Sequence, residues 1–175
     1  MKNIALFLLA FWPALWMSAQ STTIPNVDLK DIDGKTVSSS QITQAGSSTL
    51  VVFWKSSSSK CCDNLEMLRE AWNETLRQKG VKLVAICVDC NGAWGHVKPL
   101  VNGNNWDFDT YIDVNGDFKR AMSVGEVPCT MLFDEDQNLV CRYNAVCTGS
   151  QDFICENIME HLNITATASN FKAGK

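Results

Sequence analysis

"FWKSSSSKCC", residues 53–62, is the stretch on which the reading of this chain turns. Phe53 and Trp54 close the apolar run "STLVVFW" (48–54), which follows Gly46 and is β-branched and aromatic enough to form a buried strand. From about Ser59 to Lys79 the spacing changes. Leu65, Leu68, Ala71, Trp72 and Leu76 recur at three- and four-residue steps until Gly80 stops the pattern, which predicts an amphipathic helix. The stretch between is therefore a strand-to-helix turn that brings a serine run and two adjacent thiols to a helix start. Unpaired backbone N–H groups there favour negative charge, so a thiol ionises more readily than it does in open solvent. A serine in the same place accepts those N–H groups as a cap and stays neutral near pH 7.

Outward from this turn the chain alternates strands and helices. Upstream, "NVDLKDIDGKTVSS" predicts a β-hairpin turning at Asp33-Gly34. Downstream, "VKLVAICV" (81–88) is a second continuous apolar strand, which implies a sheet covered on both faces. Residues 91–102 read as a short helix or loop, followed by a short strand at 109–112, a turn at Asn115-Gly116 and a brief helix. "CTMLFDEDQNLVCRY" predicts a second hairpin with strands at 129–134 and 139–143, and residues 150–162 a helix with Phe153, Ile154, Ile158 and Leu162 facing inward. The fold class is α/β, with a central mixed sheet flanked by helices and an N-terminal hairpin. "DVNGD" (113–117) lacks the downstream glutamate of a calcium loop and is read as a turn.

Residues 1–20 carry one early positive charge at Lys2, an apolar run from Ile4 to Trp16, and small or polar residues at Ser18 to Gln20, the layout of a cleavable secretory signal. The run falls short of the roughly 20 residues of a membrane span, and Pro13 interrupts it, so membrane attachment is expected only if this segment is retained. The expected organisation is a signal segment at 1–20, one domain at 21–164 and a flexible tail at 165–175. The full chain has 15 basic and 19 acidic residues, and losing Lys2 leaves 14 against 19, a formal charge of −5. That balance argues against nucleic acid as a partner.

All eight cysteines, Cys61, Cys62, Cys87, Cys90, Cys129, Cys141, Cys147 and Cys155, lie beyond the signal, in a chain addressed to a compartment where disulfides persist. Spacing alone selects no pairing among them. "CVDC" (87–90) has no second Cys-x-x-Cys or histidine pair at finger-like distance, and His96 and His161 stand apart from cysteines and acids, so no metal site is expected. No cofactor is expected either.

The order of elements, "VVFW" leading into a helix and "VGEVPCTMLFDEDQNLV" closing with a hairpin, resembles the thioredoxin superfamily, in particular its secreted TlpA/ResA-like branch, over nearly all of residues 24–162. The resemblance implies a thioredoxin-like fold and extracytoplasmic thiol–disulfide oxidoreductase chemistry on protein thiols or disulfides, with a redox partner protein. In that family Phe-Trp is followed by three residues and Cys-x-x-Cys. Counting from Trp54 places Ser58 at the first cysteine position and Cys61 at the second. Ser58 and Cys61 are therefore the catalytic positions, and Ser58 removes the two-cysteine cycle in which one thiolate attacks and a second sulfur releases the partner. Both a natural variant and a deliberate serine replacement fit this pattern.

The resemblance further implies that Val127-Pro128 is cis and lies against the redox loop, where the backbone before the proline pairs with an extended substrate. Trp54, Val127 and Pro128 are thus the expected substrate-binding residues. Cys129 stands where threonine is usual, and with Cys62 it is a possible redox partner for Cys61. Two family supports are missing: Val52 replaces a buried acid and Asn64 replaces a glutamate three residues after the second cysteine, with Glu126 a possible substitute. Peroxide chemistry is disfavoured, since residues 54–62 contain neither threonine nor arginine. Two functions stay in view: an oxidoreductase impaired by Ser58, and a redox-inactive module holding extended peptides at the proline loop.

Overall fold

The computed structural model describes residues 23–89, 93–144 and 156–162, with the side chains of Ala93 and Trp94 also outside the description. The expected signal segment, the 165–175 tail, Cys90, Cys147, Cys155, Phe153 and Ile154 lie outside the described residues.

The N-terminal hairpin forms as expected, from β1 (Asp28–Asp31) and β2 (Thr36–Ser38). Gly34 takes φ 85° in the turn, a conformation that L side chains rarely adopt. The turn is fixed further by Asp31 Oδ1, which accepts the backbone N–H groups of Asp33 and Lys35, each at 2.9 Å. The central strands are β3 (Thr49–Trp54) and β4 (Lys82–Cys87), in parallel register from Thr49 opposite Lys82 to Trp54 opposite Cys87. β5 (Asp109–Ile112) extends the parallel portion, and β6 (Cys129–Phe133) runs antiparallel to β3 before turning into β7 (Leu139–Asn144). The result is one seven-stranded mixed sheet in the order β2-β1-β5-β4-β3-β6-β7.

Both faces of this sheet are covered, which is why β3 and β4 are apolar without alternation. Leu50, Val52, Trp54, Leu83, Ala85 and Cys87 point to one face. They pack there with α1 (Ser59–Ala71) through Cys61, Leu65 and Leu68, with α2 (Val97–Gly103) through Val97 and Val101, and with α4 (156–162) through Ile158. Val51, Phe53, Val84 and Ile86 point to the other face, against Leu29, Ile42 and Phe118 of α3 (Asp117–Ala121). Each fully buried large side chain in these layers contributes roughly 1.5–3 kcal/mol relative to exposure.

The helical run after the key turn is less uniform than its spacing predicts. α1 ends at Ala71, a wide π-type turn spans Trp72–Leu76, and a 3₁₀ turn spans Arg77–Lys79 before Gly80 stops the run at φ 77°. The widened turn accompanies a tertiary contact that sequence spacing does not encode: the Trp72 indole N–H donates to the Val81 carbonyl at 2.7 Å, and Arg77 lies over the Trp72 ring. "DVNGD" is a turn with a buried cap, because Asp113 accepts the N–H groups of Phe118 at 3.3 Å and Lys119 at 2.7 Å at the start of α3.

Candidate functional site

The end of β3 and the start of α1 converge at one rim of the sheet. Ser58 is the N-cap of α1 with extended φ/ψ of −112° and 111°, and its Oγ accepts the Cys61 N–H at 3.4 Å. Its carbonyl also accepts the N–H groups of Cys61 at 3.0 Å and Cys62 at 3.1 Å. Ser58 thus meets the donors that make a helix start favourable to negative charge, and it does so as a neutral cap.

Cys61 sits in the first turn of α1 and is wholly buried in the cluster that holds Trp54, Leu65 and Cys87. Cys62, one residue on, is only partly buried, and its Sγ approaches the Ser56 carbonyl at 3.9 Å. Burial first, and then the charges of Cys61, Asp63 and Asp89, hold the Cys62 thiol above its ordinary range. The two neighbouring thiols are therefore unequal: one has a path to solvent and the other has none.

The Val127–Pro128 peptide bond is cis, and it stands directly before β6. Val127 packs against both core clusters, including the one that contains Cys61 and Trp54, so this loop and the α1 start share one rim. Glu126, two residues before the proline, is exposed.

Two expectations need correction. Cys129 is paired in register with Phe53 and belongs with it to the opposite face, with its sulfur 3.2 Å from Asn144 Oδ1. Strand alternation turns Cys129 away from the face that holds Cys61, so proximity in the loop does not bring the sulfurs together. Burial raises the Cys129 thiol, with Arg142 opposing the effect. Trp54, expected to border a bound substrate, is fully buried and packs edge-on against Trp106 with ring centroids 5.4 Å apart. It supports the rim from beneath and offers no surface to a peptide.

Sequence reasoning missed the residue that organises the turn. Asp89, just past β4 and 5% exposed, accepts the Ser56 N–H at 2.7 Å, the Ser56 hydroxyl, the Ser57 hydroxyl at 3.5 Å and the Cys87 S–H at 3.2 Å. Its signal in the sequence was an acid directly after a continuous apolar strand, flanked by Cys87 and Cys90. Burial above all pushes the Cys87 thiol up to about 12. Asn64, at the position where the resembling branch carries glutamate, is buried, and its Nδ2 has no hydrogen-bond partner among the described residues.

The model of the AhpC/TSA family matches residues 21–157. A thioredoxin-like protein from Porphyromonas gingivalis, known from its solution structure, is 30% identical, with 80% of this chain and 92% of that one covered at a TM-score of 0.70. A Chlorobium tepidum protein assigned as a thiol:disulfide interchange protein DsbE is 20% identical over 81% of this chain and 96% of its own, also at a TM-score of 0.70. A secreted disulfide oxidoreductase of Mycobacterium tuberculosis is 15% identical over 77% and 95%, at a TM-score of 0.59. The last two show a shared fold alone. None of the curated proteins compared matches this chain.

Proposed function

This chain belongs to the AhpC/TSA family with a thioredoxin-like fold, and on that premise we propose an extracytoplasmic protein of the thiol–disulfide oxidoreductase type, acting on cysteines of protein substrates and impaired by Ser58. The observation that carries this reading is the first turn of α1. A cap at residue 58, a buried thiol one turn on and the Val127–Pro128 loop on the same rim form the arrangement in which an attacking and a resolving sulfur exchange disulfides, with oxygen in place of the attacking sulfur. Delivery outside the cytoplasm is supported by the signal-like segment at 1–20 and by the secreted Mycobacterium tuberculosis protein of the same fold.

In exchange, a thiolate attacks one sulfur of a partner disulfide and the partner's other sulfur leaves as a thiolate. A second thiol then displaces the partner and leaves a disulfide behind. With Ser58 in place, the sulfur of this turn open to the first step, among the described residues, is Cys62, and the cycle halts at a mixed disulfide because buried Cys61 sits on the same helical turn, where bridging geometry is poor. The second reading, a redox-silent module that holds an extended peptide beside Val127 and Pro128, is favoured by the self-capped Ser58 and the inaccessible Cys61.

Insulin reduction by the chain and by Ser58→Cys separates the two. Turnover in the variant but not in the parent supports an oxidoreductase scaffold with one sulfur replaced. Absence of turnover in both overturns it in favour of the binding module.

A further inference from the structure

One buried carboxylate collects most of the polar groups under the turn. Asp89 Oδ2 alone accepts the Ser56 N–H at 2.7 Å, the Ser56 hydroxyl and the Cys87 S–H at 3.2 Å, and Oδ1 takes the Ser57 hydroxyl at 3.5 Å. A carboxylate 5% exposed is tolerated only when its lone pairs are filled, so the chain at residues 56–57 and the end of β4 are tied to each other through it. Ser56 is also the residue whose carbonyl lies 3.9 Å from Cys62 Sγ. A single residue thus touches Asp89 with its N–H and hydroxyl and Cys62 with its carbonyl. Cys87, directly opposite Trp54 on β3, is buried in the cluster that holds Cys61.

We propose that Asp89 is a positioning residue for disulfide exchange: through Ser56 and Ser57 it fixes the turn that presents Cys62, and by accepting the Cys87 S–H it withholds that second thiol from reaction. This rests on the exchange reading given above, and it names the device that selects one thiol among the three gathered there among the described residues. The titratable groups acting on Cys62 are Cys61 and Asp63 from its own helix and Asp89 from the end of β4, while Lys55 and Lys60, which flank the serine run, are exposed. The negative charge of Asp89 opposes thiolate formation at Cys62, so its removal works in a definite direction.

The experiment compares the full chain with Asp89→Asn and Asp89→Ala, labelling native protein with iodoacetamide across a pH series and following each cysteine by peptide mass mapping. In Asp89→Ala, Cys87 labelling is expected to rise about tenfold or more, as a hydrogen bond to a charged acceptor is lost. In both variants the Cys62 rate–pH curve moves to lower pH. Asp89→Asn, which keeps an acceptor oxygen but not the charge, moves that curve with a smaller change at Cys87, a separation that general loosening would not produce. A Cys62 curve in Asp89→Asn superimposable on the parent's overturns the proposal, as does unlabelled Cys87 in folded Asp89→Ala. Should Asp89→Ala not fold, the Asp89→Asn curve decides alone. Labelling needs no partner disulfide, so a failure to reduce insulin and a failure here are read independently.

Discussion

Alkylation of the native chain should distinguish Cys62 from Cys61 by about two orders of magnitude, and the figure follows from the first turn of α1. Cys62 is partly open, so its reaction needs no rearrangement of the backbone. Cys61 is 0% exposed, and reaching it means opening that turn. Opening breaks the N–H bond to the Ser58 carbonyl at 3.0 Å and the longer one to Ser58 Oγ at 3.4 Å, at about 1 kcal/mol or less each. Uncovering the sulfur and its packed neighbours adds about 1–2 kcal/mol. A total near 3 kcal/mol corresponds to about 100-fold in rate. The assay is timed iodoacetamide quenching with peptide mapping of both sulfurs, repeated on Cys62→Ser, in which the fast phase should vanish. The midpoint for Cys62 should lie above that of an unhindered thiol, since burial and neighbouring charge both raise it. Equal labelling of the two, or faster labelling of Cys61, would refute the placement of Cys61 beneath the turn.

Other expectations concern the supports of that turn. Leu68→Ala, in the α1 face against β3 and β4, should cost roughly 2–5 kcal/mol in denaturant unfolding, and a loss below about 1 kcal/mol would contradict its place in the core. Trp106→Phe removes the indole N–H bond to Glu66 Oε2 at 2.7 Å while keeping the aromatic contacts with Trp54 and Phe108, so about 1 kcal/mol should be lost in denaturant unfolding, and an unchanged midpoint would contradict that bond. At alkaline pH the folded Cys87 thiol stays protonated up to about 12, whereas its ordinary value is 9.0, so the unfolded chain releases that proton first. The contribution is therefore complete below pH 9.0 and is lost as pH rises from there towards about 12. Cys87→Ala should make the alkaline fall in stability shallower, and an unchanged slope would contradict the assignment.

Much of this architecture was legible because it rests on periodicity and turn chemistry. Unbroken apolar runs at 50–54 and 83–88 announced a sheet covered on both faces, and Asp33-Gly34 marked the hairpin. Ser58 at the helix start followed from counting onward from Trp54, and its cap geometry agrees. What failed to show was whatever depends on the direction of a side chain across the sheet. Cys129 is close to the rim along the chain, yet the register with Phe53 sends its sulfur to the opposite layer. Trp54 adjoins the turn in sequence but lies beneath it, because the last residue of β3 alternates inward. The Asp89 network joins residues 56–57 to 89 across two strands, a separation that local pattern cannot span. The break in the helix after Ala71 was hidden for the same reason, since Trp72 is held by Val81 beyond the turn at Gly80.

The most direct measurement of the central claim is the ionisation of a sulfur placed at residue 58. In the double variant Ser58→Cys with Cys61→Ser, thiolate absorbance is followed through a pH titration against the Cys61→Ser parent. A sulfur held where Ser58 now caps α1 should ionise toward pH 7 or below, shifted down from about 8.5 by the helix-start N–H groups. An additional titration at about 8.5 or higher would contradict the account and leave the serine as an ordinary cap on a turn never built for a nucleophilic sulfur.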